Sequence, residues 1–435
     1  MVNNNNISSL AKERIPGFSQ LLSKRPDQFS REFWPSHYKK AKGTFVWDLD
    51  GQKYLDMSIS GIGANVLGYS DKEVNSAVKK AIEDGSSSSL NPREEVLLAD
   101  KLCKLHPWAD MARFSRSGGE AVSIAVRIAR AYSNKDKVLF CGYHGWQDWY
   151  LAANISSTSN LDEHLLPSLT SLGVPRALKD TAFPFSYNNI KSFKELFKKY
   201  KKSLGAVVME PIRSEDPTPG FLEEIVATCK ESNIPLIFDE ISSGFRIANG
   251  GSHMKFGLNP DLAVFAKAMG NGFPISAVIG KKEIMQYAEE SFISSTNWTE
   301  RVGSAAAIAC IEKFVEKDVS RKLLFLGKNM QDFWFKMNTN YNLGLEITGI
   351  YPLSYFSFKT SNNLKKTYFV EQMLEKNILS STRYYPNFAQ SNSHLDSYFT
   401  QAEKVFFDIS KLTKSGNLRN KIKGTISKPG FKRFA

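Results

Sequence analysis

Unbroken hydrophobic runs recur through the middle of the chain, and two of them end in a charged residue. The first, in IPLIFDE, ends at Asp239 and Glu240, and the second, in PDLAVFAK, ends at Lys267. Short apolar runs bounded by Pro or Gly are typical of parallel strands that are buried on both faces of a sheet. In such sheets, ligands bind beyond the carboxyl ends of the strands. The pattern therefore predicts that Asp239 and Lys267 face one ligand site.

Neighbouring segments show the patterns of further strands and helices. Residues 111–115, 138–141 and 206–210 are predicted strands. After the first of them, apolar residues recur at helical spacing up to Tyr132, which predicts a helix with one buried face. Residues 43–57 alternate apolar and polar side chains, which is typical of a hairpin. Strands that alternate with helices predict an α/β fold.

The turn Ser117-Gly118-Gly119 lies between a predicted strand and the helix that follows it. The free N–H groups and the positive dipole end at a helix start attract anions. Glycine lets the backbone approach such a ligand closely. We therefore expect a phosphate group at Ser117, Gly118 and Gly119, and an ordinary strand-to-helix turn is the alternative.

A carboxylate, an amine and a phosphate site together fit pyridoxal 5′-phosphate (PLP). The acidic side chain of Asp239 would keep the pyridine nitrogen protonated, and the Lys267 amine would form a Schiff base with the aldehyde. From Asp239 and Lys267 alone, an Asp that caps the next turn and a surface Lys explain the pattern equally well. The predicted phosphate site at Ser117–Gly119 favours the interpretation of Asp239 and Lys267 as PLP-binding residues.

The segment around these two residues resembles the core of the class III aminotransferases. It contains LIFDEISSGFR, then G-x-x-PDL-x-x-x-x-K, then GNGFPISAVIG, and by pattern it is most similar to the glutamate-1-semialdehyde aminomutase group. The resemblance extends from about Pro16 to about Ile409. It implies a PLP-dependent transferase of fold type I, with a mostly parallel seven-stranded sheet between helices in a large domain and a small α/β domain.

The flexible, polar break GSSSSLN at residues 85–91 and the resemblance together predict a division of the chain. Residues 1–90 would form an N-terminal segment that belongs to the small domain, and residues 91–315 would form the large PLP-binding domain. Residues 316–410 would complete the small domain. Residues 411–435 contain only basic charges and several Gly, Ser and Pro, which predicts a weakly ordered tail.

Further cofactor contacts follow from the resemblance. It places the ring of Tyr143 on the pyridine face, Ser242 near the ring hydroxyl, and a threonine of the partner subunit on the phosphate. Thr296 matches that threonine, with Thr299 as the alternative, and a shared site implies a homodimer. Relatives often have Thr or Ser where this chain has Gly119, so one hydroxyl contact is missing.

Two residues are predicted to lie near the substrate. In the aminomutase group, an arginine of the N-terminal region holds the substrate carboxylate, and Arg25 or Lys24 takes that place here. Glu210, in a Glu-Pro pair at a strand end, would lie near the substrate or support the site. An exposed basic turn and a structural glutamate are the respective alternatives.

These residues predict a transaminase that moves an amino group from a glutamate-like donor to a keto or aldehyde acceptor through a Schiff base on Lys267. Glutamate-1-semialdehyde 2,1-aminomutase is the first alternative, because a mutase shares all these residues. Thr299-Glu300-Arg301 replaces the family's Gly-Asn-Pro-like turn, which favours a subfamily apart from that mutase. A PLP-fold binding protein without catalysis is the second alternative.

Composition limits the classes of molecule that this protein is expected to bind. The net charge of +13 lies largely in lysine-rich surface segments that suit anionic metabolites better than nucleic acid. The four cysteines include no CxxC pair, which favours reduced thiols and no metal site. No apolar run approaches the roughly 20 residues of a membrane span. We therefore expect a cytoplasmic protein that binds neither membrane nor nucleic acid.

Overall fold

The structure is a computed structural model that describes residues 4–164, 169–212 and 214–428. The chain forms two units: Met1–Asp71 with Arg321–Ala435, and Lys72–Ser320. The sequence predicted the first boundary after residue 90. The observed boundary lies earlier because the helix Lys72–Glu83 packs against the helix Arg301–Glu316 and so belongs to the second unit.

The strands are short, as expected for an α/β protein. In chain order they are β1 (Tyr38–Lys42), β2 (Phe45–Asp48), β3 (Lys53–Asp56), β4 (Met111–Ser115), β5 (Lys137–Cys141), β6 (Ala182–Pro184), β7 (Leu204–Met209), β8 (Leu236–Asp239), β9 (Leu262–Phe265), β10 (Ser276–Gly280), β11 (Leu345–Thr348), β12 (Ser354–Phe358), β13 (Ile378–Leu379) and β14 (Arg383–Tyr384).

The α-helices connect and cover these strands. They are α1 (Asn4–Arg14), α2 (Lys72–Glu83), α3 (Arg93–Leu105), α4 (Gly118–Ser133), α5 (Asp148–Leu151), α6 (Ala153–Ser156), α7 (Ile190–Tyr200), α8 (Phe221–Glu231), α9 (Lys282–Met285), α10 (Tyr287–Glu290), α11 (Arg301–Glu316), α12 (Val319–Tyr341), α13 (Asn362–Leu374) and α14 (Asn392–Lys414). Short 3-10 helices occupy Leu22–Lys24, Pro26–Gln28, Arg176–Leu178, Lys201–Ser203, Ser252–Phe256, Lys267–Gly270, Thr296–Thr299, Tyr351–Leu353 and Leu418–Lys421. Among the described residues, no helix combines the length and hydrophobicity needed to cross a lipid bilayer.

Within the described residues, the second unit contains a seven-stranded sheet in the order β4-β10-β9-β8-β7-β5-β6. Pairing is parallel from β6 through β5, β7 and β8 to β9, and β10 is antiparallel to both of its neighbours. β4 therefore runs in the same direction as the five parallel strands. This sheet confirms the predicted fold class.

Both faces of the sheet are buried, which explains the unbroken hydrophobic runs. In β5, Val138 and Phe140 pack in one apolar cluster with side chains of α4. Their neighbours Leu139 and Cys141 pack in a second cluster with side chains of α7 and α8. A strand between two helical layers needs apolar residues at every position, so the usual alternation of apolar and polar residues is absent.

The first unit contains two small sheets, ordered β1-β2-β3-β13 and β11-β12-β14. The β2–β3 pair is the predicted hairpin around Asp50-Gly51. Aromatic side chains of α12, β12, α13 and α14 form the core of this unit, with Trp334, Phe356, Phe369 and Phe406 packed ring against ring. This unit is the predicted small α/β domain.

The C-terminal segment differs from the weakly ordered tail that composition predicted. α14 extends to Lys414, and the backbone N–H groups of Lys423 and Gly424 donate to the carboxylate of Glu371 at 2.9 and 3.0 Å. The N–H of Lys428 donates to the carbonyl of Asp27 at 3.0 Å. A buried acceptor on α13 thus fixes this segment through its backbone, which side-chain composition does not indicate. Residues 429–435 of the tail lie outside the described residues.

Candidate active site

The carboxyl ends of the strands that run in one direction in the second unit lie at one edge of the sheet. β4, β5, β7, β8 and β9 run in the same direction, so the residues that follow them converge there. Most of the side chains predicted to contact the cofactor follow these strand ends: Ser117, Gly118, Gly119, Tyr143, Asp239, Ser242 and Lys267, together with Glu210.

Asp239 is 2% exposed, and both of its carboxylate oxygens have hydrogen-bond donors. The Ile241 N–H donates to Oδ1 at 3.0 Å, and His144 Nδ1 lies 2.8 Å from Oδ2. His144 is fully buried, and its Nε2 has no hydrogen-bond partner within the described residues. Sequence reasoning gave His144 no part in the site. In the structure its ring orients the carboxylate at the strand end.

Lys267 follows β9 with a positive φ of 40°, a conformation that costs energy for a residue with a Cβ. Its Nζ donates to Ser242 Oγ at 2.7 Å, which brings together two residues predicted to contact the cofactor. Burial lowers the pKa of Lys267, and Arg246 lowers it further, while Glu210 and Asp239 act in the opposite direction. The net lowering of the Lys267 pKa increases the fraction of this amine that is neutral.

Glu210 follows β7 and holds the loop that carries Tyr143. Its Oε2 accepts the Tyr143 N–H at 3.0 Å. A β-carbon on Gly142 would lie 2.6 Å from the same oxygen, so glycine is required for this contact. The Tyr143 side chain is 42% exposed at the sheet edge, where it can cover a flat ligand. The structure thus gives Glu210 a supporting contact, and its role toward substrate stays a prediction.

The predicted phosphate turn lies at the start of α4. Glu120 Oε2 accepts the Ser117 N–H at 2.8 Å and the Ser117 hydroxyl at 3.0 Å. Ser117 is therefore partly engaged by its own helix, and the N–H groups of Gly118 and Gly119 in the first turn lack intrahelical acceptors. A β-carbon on Gly118 would lie 2.7 Å from Ile241 Cδ1, so a larger residue there would displace the Ile241 side chain.

Thr296 begins the 3-10 helix Thr296–Thr299 and is exposed. Arg116, directly before the phosphate turn, fastens this segment by donating to the carbonyls of Asn297, Trp298 and Glu300 at 2.8–2.9 Å. The segment is thus attached to the start of α4 within one chain. The predicted contact of Thr296 with a partner subunit's cofactor stays a prediction.

Arg25 lies in the first unit between two 3-10 helices. Its Nε and Nη2 donate to the two carboxylate oxygens of Asp27 at 3.1 and 2.5 Å. Arg25 is 5% exposed and Asp27 is 4% exposed. The guanidinium that was predicted to hold a substrate carboxylate therefore forms a buried bidentate pair with a carboxylate of its own chain.

The residues at the sheet edge fit PLP. They provide a buried carboxylate for the pyridine nitrogen, an amine of lowered pKa, an exposed aromatic ring and a glycine turn at a helix start. Within the described residues, the buried Nε2 of His144 has no hydrogen-bond partner, although buried polar atoms are usually hydrogen-bonded.

Comparisons with known proteins agree with this geometry. The family model described as "Aminotransferase class-III" matches residues 29–405. The 3-aminobutyryl-CoA aminotransferase of Cloacimonas acidaminovorans is 34% identical over 71% of this chain and 72% of that protein. The glutamate-1-semialdehyde 2,1-aminomutase of Ruminiclostridium cellulolyticum is 29% identical over 94% of this chain and 98% of that protein.

A solved structure shares the fold over nearly the whole chain. The FumI protein of Sphingopyxis sp. MTA144, in its PLP internal aldimine form, matches with a TM-score of 0.85 at 22% identity. The match covers 95% of this chain and 98% of that chain.

Proposed function

This chain belongs to the class III aminotransferase family, whose cofactor is PLP, and we propose that it moves an amino group from a glutamate-like donor to a keto or aldehyde acceptor. The proposal rests mainly on one observation: a buried carboxylate, Asp239, and an amine of lowered pKa, Lys267, lie at the same edge of the sheet. These are the two groups that PLP chemistry requires from the protein.

Different residues at this edge would bind different parts of the cofactor. Ser117, Gly118 and Gly119 would bind the phosphate, Asp239 the pyridine nitrogen, and Tyr143 one face of the ring. When bound, PLP supplies an electron sink that stabilises negative charge on the substrate carbon next to the nitrogen. His144 and the Ile241 N–H fix both oxygens of Asp239, so the carboxylate is oriented before ligand binds.

Lys267 Nζ is the proton carrier in this proposal. A general base works best when its pKa lies near the working pH, and burial lowers the pKa of this amine from its ordinary value. Ser242 Oγ, 2.7 Å away, restrains Nζ. Glu210 and Asp239 oppose the lowering, which preserves the ability of the amine to take up a proton and return it.

Glutamate-1-semialdehyde 2,1-aminomutase is the alternative function. The favourable observation is that relatives of that name match along most of this chain, at 29% identity over 94% and at 34% identity over 76% of it. Both reactions would use the same residues at the sheet edge. They differ in whether the amino group leaves on a second substrate.

An absorbance spectrum of the purified protein, reconstituted with PLP, tests the proposal. We expect a visible band that borohydride removes, with the reduced cofactor attached to Lys267 by peptide mapping. Bleaching of the band by glutamate alone supports the transaminase, and turnover only with glutamate-1-semialdehyde supports the aminomutase. A protein that shows no such band at saturating PLP would refute both.

A further inference from the structure

Gly119 creates a gap at the start of α4 that another side chain fills. Relatives of this family often have Thr or Ser at this position, so one hydroxyl near the predicted phosphate site is missing. A β-carbon on Gly119 would lie 2.3 Å from Gln147 Nε2 and 2.5 Å from Gln147 Oε1. The carboxamide of Gln147 therefore occupies the volume that a threonine or serine side chain would need.

The carboxamide is held in this place by its own loop. Gln147 follows β5, in the same loop as Tyr143, and its Oε1 accepts the Trp146 N–H at 3.1 Å. A β-carbon on Gly145 would lie 2.5 Å from Oε1 and 3.1 Å from the Gly119 Cα. Two glycines thus allow the loop and the helix start to touch. Since Oε1 accepts a hydrogen bond, the N–H groups of Nε2, the carboxamide atom nearest to the β-carbon position of Gly119, remain as donors beside the helix start.

We propose that Gln147 Nε2 donates a hydrogen bond to the phosphate of the cofactor and so replaces the hydroxyl that is missing at Gly119. An amide N–H next to the first turn of α4 adds a donor where the helix already favours an anion. Hydrogen bonds to charged groups are stronger than neutral ones. This inference rests on the proposed placement of the phosphate at Ser117–Gly119.

Binding of PLP and of pyridoxal, which lacks the phosphate, to the apoprotein tests this inference. Because a hydrogen bond to a charged group contributes about 1.5–3 kcal/mol, Gln147→Ala should weaken PLP binding by roughly 10- to 100-fold. Pyridoxal affinity should not change. The phosphorus NMR signal of bound PLP should also shift in the variant, which gives a readout independent of turnover.

A double substitution makes the test specific. Gly119→Ser in the Gln147→Ala background returns a hydroxyl to the vacated space, and PLP affinity should recover most of the loss. Gly119→Ser alone should give no gain, because the carboxamide already fills that space, so the two changes should be non-additive. Gln286→Ala, at an exposed glutamine of the same unit, is the matched control and should leave affinity unchanged.

The possible results separate this inference from the proposed function. Equal losses of PLP and pyridoxal affinity, or no loss at all, would overturn the role of Gln147 while leaving the cofactor assignment intact. A wild-type protein that binds no PLP would instead refute the proposed function itself.

Discussion

His106 should make the second unit sensitive to mild acid. It follows α3, is fully buried, and uses both ring nitrogens: Nδ1 lies 2.9 Å from the Leu102 carbonyl, and Nε2 accepts the Gly251 N–H at 2.9 Å. This arrangement requires the neutral ring with its proton on Nδ1. The pKa of His106 is lowered from 6.5 to about 4, mainly by burial and to a smaller extent by the neighbouring His253, while the hydrogen bond with Leu102 and the charge of Glu240 act in the opposite direction.

The sign of the effect follows from proton linkage. The unfolded chain binds a proton on this histidine below about pH 6.5, whereas the folded chain resists protonation down to about pH 4, so stability falls as the pH falls. With these two pKa values, the stability contribution lost is about 2 kcal/mol by pH 5 and about 3 kcal/mol by pH 4. Such a loss is a large share of the stability of an ordinary domain.

Urea unfolding of the wild type and of His106→Gln at pH 7.5 and pH 5.0 measures this contribution. Trp108 is a suitable fluorescent reporter because its Nε1 donates to His253 Nε2 at 3.1 Å in the same buried cluster. Glutamine does not titrate, so the loss of stability between the two pH values should be about 2 kcal/mol smaller in the variant. Titrating groups that do not interact with His106 cancel in this comparison.

One result would refute the reasoning. If the wild type and the variant lose the same stability between pH 7.5 and pH 5.0, the burial of His106 does not control its protonation. If the variant is in addition less stable than the wild type by the same amount at both pH values, His106 contributes to stability only through packing.

Three further predictions concern the site and the C-terminal segment. Lys267→Ala should lower amino transfer from glutamate by on the order of 10²–10⁴-fold in single-turnover assays, whereas Lys281→Ala, at a surface ion pair, should not. Asp239→Asn should lower kcat by at least about 10²-fold, measured with the same donor, because the pyridine nitrogen loses its anionic partner; activity near wild type would contradict this role. Gly424→Ala should cost about 1 kcal/mol in urea unfolding, because its β-carbon would lie 2.7 Å from Glu32 Oε2 and displace this oxygen from the Thr425 N–H; unchanged stability would mean that the carboxylate moves aside without losing this bond.

The strands of the large sheet could be predicted because both of its faces are buried. The runs that became β5, β8 and β9 are apolar at every position, and such runs have few alternatives to a central strand. The charged residues at their ends could be predicted as a ligand site for the same reason, since parallel strands end at one edge.

The contacts between distant residues could not be predicted in this way. His144 and Asp239 are 95 residues apart, and they meet because β7 alone separates β5 from β8 in the sheet. A hydrophobic pattern indicates a strand but not its place in the order. The position of His144 directly after a strand was the available signal. Likewise Glu371 resembles a surface glutamate in sequence, although it is 2% exposed and accepts backbone donors of the C-terminal segment.

The Arg25–Asp27 pair bears on which substrates the protein can select. The aminomutase resemblance offers Arg25 or Lys24 for a substrate carboxylate, but Asp27 already binds the Arg25 guanidinium with two hydrogen bonds, and both side chains of this pair are buried. A substrate carboxylate that displaced Asp27 would leave a buried charge without its partner, at a cost of about 3–5 kcal/mol. A carboxylate that shared the arginine would place two negative charges beside one positive charge. Either cost weakens recognition of a substrate carboxylate at Arg25, whether that substrate is a glutamate-like donor or glutamate-1-semialdehyde.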